Sequence, residues 1–392
     1  MLKVQKIKLQ PNSTMIKVIE ELFSYSRYCY NQALEIWNTM YDSSVLLEDK
    51  SLRPNWRKVR NELVANKADW QYTYSARVLQ QSCSNLGKAW DNFFNPNMPD
   101  SGKPKFKSKK YSKKAFTTDR ARFKNNKLIL DKPREDRHSG WYGIRLREPV
   151  RFTGKLKLVT VTKDVSGYYA SLVFDVDDTD YPKPTKDKVA VDCNVRRLTY
   201  GNEDSINTKI VYPKSLDKLY ERIKVYQRLL AKKQVANPTN FRSNNYNKVR
   251  TKLQRDYLKV SNIQHDLLQK FTTDLVKNYQ EIHIEDLDVK HMLMSKRLSK
   301  NLQRSLFSEF RRELTYKCDW YNRDLVVVSK DYPSTQLCSN CGYRKTKDSY
   351  GGKQTLSGDS IHREHQKYYC YNCSSVLDRD ENAVINILNY KE

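Results

Sequence analysis

No apolar run in this sequence approaches the length of a membrane span, which excludes a transmembrane helix on hydropathy. A disulfide scaffold is excluded as well. There are eight cysteines in 392 residues, and Cys29, Cys83, Cys193 and Cys318 are scattered through segments that read as helix or strand. No internal repeat and no low-complexity tract is present. The opening MLKVQKIKLQPN is charged and alternating, unlike a secretory leader, so the expectation is a cytoplasmic protein under reducing conditions. Acidic residues are the remaining shortage: 45 Asp plus Glu stand against 72 Lys plus Arg, a net charge of +27. Such a surplus repels itself, so a polyanionic partner is the better account than a solubilising surface. The 27 Tyr and 6 Trp lie among the basic residues, a mixture suited to phosphate contacts and base stacking.

The length suggests roughly two to four domains, and 38% hydrophobic residues suffice for cores. Residues 2 to 9 (Leu2, Val4, Ile7, Leu9) read as a strand. Helical spacing follows at Val18, Leu22, Phe23, Leu34 and Trp37, and again at Val78, Leu79, Cys83, Leu86, Trp90, Phe93 and Phe94, predicting a small helical bundle. KPKFKSKKYSKK, residues 103 to 114, carries seven Lys with Phe106 and Tyr111 interleaved. A solvated linker and a nucleic-acid-contacting segment fit it equally. From 115 to 176 short strands (NKLILD, WYGIRLRE, GKLKLVTVTKD, YYASLVFDV) predict a β-barrel or sandwich into which the strand at 2 to 9 pairs. DTDYPKPTKDK, 178 to 188, is the best domain boundary. Beyond it the pattern is mixed. The strands VAVDCNV, RLTYGN and KIVYP precede helices at 215 to 236 and 246 to 280, the second with Ile263, Leu267, Phe271, Leu275 and Tyr279 on one face. A strand EIHIED, a helix from 302 to 322, a buried-type strand DLVVVSK and a short helix from about 380 complete the chain.

Two Cys-x-x-Cys pairs, Cys338/Cys341 and Cys370/Cys373, make two thiolate knuckles and together a tetrahedral four-cysteine Zn2+ site. Four thiolates leave no open coordination position, so this zinc is structural. The 28 residues between the pairs (342 to 369) are read as a polar loop outside the metal core, with His362 and His365 facing solvent or nucleic acid. A second constellation is spread along the chain. Asp192 ends VAVD, Glu285 ends IHIE, and Asp380 lies in the first turn of the last helix. Strand ends of a mixed sheet are where such folds place reactive groups. Hard carboxylate oxygens are what two Mg2+ ions about 3.5–4 Å apart require for phosphodiester cleavage. Asp378 reads as the N-cap of the last helix with Glu381 completing a capping-box pattern, which leaves Asp380 as the third ligand and Asp378 as the runner-up.

At these residues the sequence resembles the TnpB family of transposon-encoded proteins, relatives of compact type V CRISPR effectors. VAVD resembles the first RuvC motif, HIEDL the second, STQLCSNCGYRKTKD with YYCYNC the zinc ribbon, and DRDENAVINIL the third RuvC motif. SGKPKFKSKK resembles the Pro-x-Phe-Lys segment preceding the family's β-barrel. The resemblance implies a multidomain α+β and α/β protein. Residues 1–13 and 115–180 would form a β-barrel wedge domain, and 14–114 an inserted helical recognition lobe. Residues 185–335 and 375–392 would form an RNase H-like RuvC domain, and 336–374 the four-cysteine zinc ribbon. It implies an RNA-guided, Mg2+-dependent DNA endonuclease, monomeric in its ribonucleoprotein and nucleoid-associated when on DNA. The guide would be a non-coding RNA from the element's end, the target double-stranded DNA beside a short flanking motif. Asp192, Glu285 and Asp380 would hold two catalytic Mg2+; Asn382 also matches the third motif. One departure stands out: the family's Gly two residues after the first Asp is Asn194 here, within CNVRR. An RNA-guided DNA-binding repressor with weak or no nuclease activity is the alternative. A DNA-joining transposase fits less well, because such enzymes commonly order their carboxylates Asp, Asp, Glu.

Overall fold

In the computed structural model the first strand, β1 (Leu2–Gln10), takes its buried face from Ile7 and Leu9, which carries Lys3 and Gln5 inward and leaves Leu2 and Val4 exposed. The apolar positions change parity along the strand, and pairing register decides which set is buried. The buried Gln5 amide is satisfied: it donates to the Pro149 carbonyl (3.1 Å) and accepts from the Arg151 N–H (2.8 Å). The structure describes residues 1–98, 100–110, 112–131, 143–177, 181–194, 197–210, 212–287, 306–355 and 357–391. Tyr111, the first two residues of WYGIRLRE, residues 178 to 180, Val195 and Arg196 of CNVRR, and 302 to 305 of the expected helix lie outside them. The chain divides into two units, Met1–Asp178 and Thr179–Glu392.

In the first unit β1 runs antiparallel to β7 (Gly167–Asp175) along its length, and its last residues pair with β5 (Gly143–Leu146). With β2 (Ala115–Thr118), β3 (Arg122–Lys124), β4 (Lys127–Ile129) and β6 (Lys155–Asp164) they form a seven-stranded sheet, ordered β2-β6-β7-β1-β5-β4-β3. The strand at the N-terminus thus sits inside the sheet as expected. The expected barrel closure does not form among the described residues: the order is open, with the short strands β2 and β3 at its ends. Helices supply the cover that a barrel wall would otherwise give. α1 (Ser13–Leu46), capped by Asn12 accepting from the Met15 N–H at 2.7 Å, packs on α3 (Ala76–Phe94), and both reach β2. Trp37 stacks on Trp90 with centroids 5.6 Å apart. α2 (Trp56–Ala65) begins after Pro54, capped by Asn55. One core runs through helices and sheet, from Val18, Leu22, Leu34 and Leu86 to Val159, Val161 and Leu172. The Lys-rich segment is docked rather than free where it meets α1: the Asn31 amide donates to the Lys107 carbonyl (2.9 Å) and accepts its N–H (2.8 Å).

In the second unit β8 (Lys186–Cys193), β9 (Arg197–Gly201) and β10 (Ile206–Ile210) form an antiparallel meander. β11 (Tyr279–Glu285) and β12 (Asp324–Val328) then add in parallel, giving the order β10-β9-β8-β11-β12. α4 (Ser215–Ala236) and α5 (Asn244–Asn278) form a hairpin, and α6 (Phe307–Tyr321) packs on α5. Tyr279, expected at the end of α5, is the first residue of β11. Strand alternation sends Val189, Val191, Ile282 and Ile284 to the face covered by α5 and α6. Ala190 faces the other way, toward α7 (Arg379–Leu388) with Val384, Ile387 and Leu388, and His283 bonds the Ile387 carbonyl at 3.1 Å. Among the described residues no helix is long and apolar enough to cross a membrane.

Candidate functional site

In the parallel register of β8 and β11, Val191 lies beside Ile284, so Asp192 and Glu285 follow at the same level of adjacent strands. Both have the parity of Ala190 and His283, the residues that meet α7. α7 brings Asp380 to the same place from its first turn. Asp192 is 6% exposed, and its carboxyl is held well above the usual range, first by burial and then by the negative charges of Glu285 and Asp380. Asn194, which stands where a glycine was expected, donates to Asp192 Oδ2 at 2.8 Å. Burial likewise pushes Glu285 up, opposed by the Ser334 hydroxyl, which donates to Oε1 at 2.6 Å. Both oxygens of buried Asp380 are engaged by guanidiniums, Oδ2 by Arg197 at 2.7 Å and Oδ1 by Arg379 at 3.2 Å. Burial opposes the ionisation of Asp192 and Glu285, and an oxygen-only donor set of this kind suits Mg2+. A cavity of about 310 Å3 opens beside Glu285, lined by Cys193, Phe307, Phe310, Arg311 and Arg312 among others. Its two guanidiniums are suited to phosphate oxygens.

Asp378 caps α7: its Oδ1 accepts from the backbone N–H groups of Asp380 (2.9 Å) and Glu381 (3.1 Å). That task occupies it locally.

The four cysteine sulfurs converge. Cys338 and Cys373 lie 3.7 Å apart, Cys341 and Cys370 3.6 Å, and all four sulfurs fall within 4.8 Å of one another. Tetrahedral Zn2+ with Zn–S of about 2.3 Å spaces its sulfurs by about 3.75 Å. Gly342, at φ +73°, closes the first knuckle by donating its N–H to the Cys338 carbonyl (2.8 Å). In the second, the Cys370 N–H bonds the Ser375 carbonyl at 2.9 Å. Ser375 draws exposed Cys373 down to about 6, while burial pushes the Cys338 thiol up to about 12. The cluster is compatible with a structural zinc site, which would supply the missing counter-charge to the buried thiolate.

The residues between the knuckles are not simply a polar loop. Lys345 and Asp359 form an ion pair at 3.1 Å, both side chains 0% exposed. Burial opposes ionisation of Asp359. The Tyr371 hydroxyl (2.7 Å), the His362 N–H (2.6 Å) and Lys345 outweigh it and hold the carboxyl well below the usual range. Gly351, at φ +79°, has no room for a Cβ, which would lie 2.0 Å from the Tyr371 ring. His362 and His365 are both exposed, as expected, and His362 also stacks on Tyr369 with centroids 3.7 Å apart and bonds Tyr371 at 3.1 Å. The segment returns through β13 (Lys367–Tyr369), paired with β14 (Val376–Asp378). Lys345→Ala leaves Asp359 buried without its cation and is expected to destabilise this subdomain by about 3 kcal/mol. Amide exchange across 354 to 371 checks this, faster exchange being the expected result.

Asn382 joins the two parts of the site. Its Nδ2 donates to the Leu337 carbonyl (2.7 Å) and its Oδ1 accepts from the Ser339 N–H (2.8 Å), tying α7 to the first knuckle. Asn386, one turn on, donates to the carbonyls of Ser334 (2.7 Å) and Leu337 (2.8 Å). Sequence reasoning missed Asn386, Ser334 and Arg197. Two amides four residues apart on an otherwise apolar face were the signal for Asn386, and the unusual CNVRR for Arg197; Ser334 carried none.

Comparisons with known proteins agree in chain order. The family OrfB_IS605, described as "Probable transposase", matches residues 171–296; "Cas12f1-like, TNB domain" matches 307–387; and a "Helix-turn-helix domain" of the OrfB_IS605 group matches 1–44. A Streptomyces pristinaespiralis protein named "Putative RNA-guided DNA endonuclease" is 29% identical, over 98% of this chain and 88% of its own. InsQ of Escherichia coli K12, given the same description, is 27% identical over 87% and 84%. "TnpB-like protein L79" of Acanthamoeba polyphaga mimivirus is 30% identical over 47% of this chain and 31% of its own. A solved structure titled "Cryo-EM structure of the Cas12f1-sgRNA-target DNA complex" superposes with a TM-score of 0.51 over 99% of both chains at 13% identity, a likeness of fold. Three family matches in order, near-full-length relatives, this mixed α/β fold and the clustered cysteines together support a TnpB family protein.

Proposed function

We propose that this protein is an RNA-guided DNA endonuclease of a transposable element, cleaving target DNA by Mg2+-assisted phosphodiester hydrolysis. The observation that carries the reading is the convergence of Asp192, Glu285 and Asp380 at one end of the β8–β11 pair, with Glu285 and Asp380 both opposing ionisation of buried Asp192. These three would hold two Mg2+ ions, which when bound activate water and stabilise the leaving 3′ oxygen. The chain's own groups prepare the site. Asn194 orients Asp192, Ser334 orients Glu285, and Arg197 and Arg379 restrain Asp380. Arg311, at the cavity beside Glu285, is placed to receive the phosphate backbone.

The sheet order, with β8–β9–β10 antiparallel and β11 and β12 parallel to β8, supports an RNase H-like RuvC domain over 185–335 and 375–392. Residues 336–374 would be its zinc ribbon, 1–13 and 115–180 a wedge domain built on the open seven-stranded sheet, and 14–114 a recognition lobe. The partners are a guide RNA from the element's end and double-stranded target DNA, bound by a monomer that resides in the cytoplasm and on the nucleoid; the +27 charge supports both. Sequencing the RNA that co-purifies with the protein tests the reading. One dominant species ending in a variable guide, which directs cleavage of a matched plasmid, is expected. A random RNA pool overturns it.

A further inference from the structure

Outside the two clusters above, one group of side chains meets a cation's geometry. His265 on α5 faces Glu309 and Glu313, four residues apart on one side of α6, and one ligand atom from each falls within 4.8 Å of the others. His265 Nδ1 lies 3.5 Å from Glu309 Oε1 and 3.8 Å from Glu313 Oε1. Nitrogen and oxygen ligands about 2.0–2.1 Å from a tetrahedral Zn2+ are spaced by about 3.4 Å, so little movement is needed to seat one.

An independent observation concerns Glu313. Its side chain is 0% exposed, and Oε1, the oxygen turned toward His265, is buried with no hydrogen bond. Its other oxygen is satisfied: Oε2 accepts from the Thr272 hydroxyl at 3.1 Å. Burial pushes the Glu313 carboxyl up, opposed by Lys317, Thr272 and Gln269, whose amide Nε2 also donates to the Tyr316 hydroxyl at 3.0 Å. Lys317 faces Oε2 rather than Oε1, at 3.9 Å, with its ammonium spent on the Gln269 carbonyl (2.9 Å) and the hydroxyls of Thr272 (2.6 Å) and Thr273 (2.9 Å). Arg312, 60% exposed, holds both Glu309 oxygens, Oε2 through Nε at 2.8 Å and Oε1 through Nη2, so a cation seated on Oε1 would take the place of the second bond. A buried carboxylate oxygen without a donor costs stability unless a cation or proton reaches it.

We propose that His265, Glu309 and Glu313 form a binding site for a divalent cation of the Zn2+ class, bracing α5 against α6, with water completing the coordination on the half-exposed His265 side. An imidazole with two carboxylates suits Zn2+, and the two negative charges neutralise it. The brace lies over the core of Leu268, Phe271, Phe310 and Leu314 that backs β8 and β11. It stands independently of the nuclease reading, since none of its ligands belongs to the strand-end cluster.

The test is calorimetric titration of Zn2+ into the full-length protein with its four-cysteine site already filled, with metal content measured after gel filtration. One further equivalent is expected in the wild type and in Asp192→Ala, and its loss in His265→Ala and Glu313→Gln. Zn2+ should also raise the Tm of the wild type and not that of His265→Ala. Equal uptake by wild type and His265→Ala, or uptake lost only with Asp192→Ala, overturns the proposal. No uptake beyond the four-cysteine site also overturns it. Should Glu313→Gln fail to fold, His265→Ala, a change at a half-exposed side chain, still decides.

Discussion

Asp192→Ala, Glu285→Ala and Asp380→Ala are each expected to lower target cleavage by about a thousandfold or more, about 4 kcal/mol of transition-state stabilisation, while leaving guide-RNA binding intact. The expectation follows from where the three lie. Each is held by an element that contributes its apolar residues to a core: β8 through Val191, β11 through Ile284 and α7 through Val384. Removing a carboxylate therefore alters the charge of the site and leaves its scaffold packed. Deleting Asp192 or Glu285 removes an anion that burial disfavours, so those two variants should fold at least as well as the wild type without metal, whereas Asp380→Ala leaves Arg197 and Arg379 without their carboxylate. Loss of cleavage with undiminished thermal stability is the signature for Asp192→Ala and Glu285→Ala. Asp378→Ala separates the two aspartates of α7. Its carboxylate caps Asp380 and Glu381, so its loss should cost about 1 kcal/mol of stability and leave cleavage in place. Cleavage retained by Asp380→Ala and lost in Asp378→Ala would transfer the role; metal-dependent cleavage retained by all three alanine variants would sink the scheme.

Cys338→Ser is expected to release zinc and unfold the ribbon. Structural zinc in small sites contributes about 10–16 kcal/mol of apparent binding energy near neutral pH, and that energy is folding energy where little apolar core exists. Here the core beside the metal is small: Cys338, Tyr368 and Cys370, with Tyr343 and Leu377 against them. The damage should travel. Asn382 and Asn386 fasten α7 to the Leu337 and Ser339 backbone, so loss of the first knuckle frees the helix that carries Asp380. Zinc content, ribbon amide exchange and cleavage should therefore fall together in this variant. Unchanged metal content refutes the four-cysteine site. Lost zinc with normal cleavage would refute the coupling through the two asparagines.

Much of the second unit was legible because its signals are local. The strands VAVD and IHIE, the helix from 215 to 236, the paired Cys-x-x-Cys and the Asp378 cap each depend on residues within a few positions of one another. The first unit shows the limit. Leu2, Val4, Ile7 and Leu9 identified β1, yet its buried face was set by pairing to Tyr168 through Asp175, more than 150 residues away. The open sheet order, likewise, is a matter of which distant edges pair.

By itself the sequence determined the chemistry available: an excess of positive charge, four thiols in two knuckles, and three carboxylates at element ends. Only the tertiary structure decided which of these meet. The parallel register of β8 and β11 set Asp192 beside Glu285, and α7 brought Asp380 to them. Burial then gave the Lys345–Asp359 pair and the donorless Glu313 oxygen, neither of which has any sequence signature. The physical reason is common to all of these: the charge state and partners of a side chain depend on desolvation and on neighbours supplied by other elements, and neither is a property of the local chain.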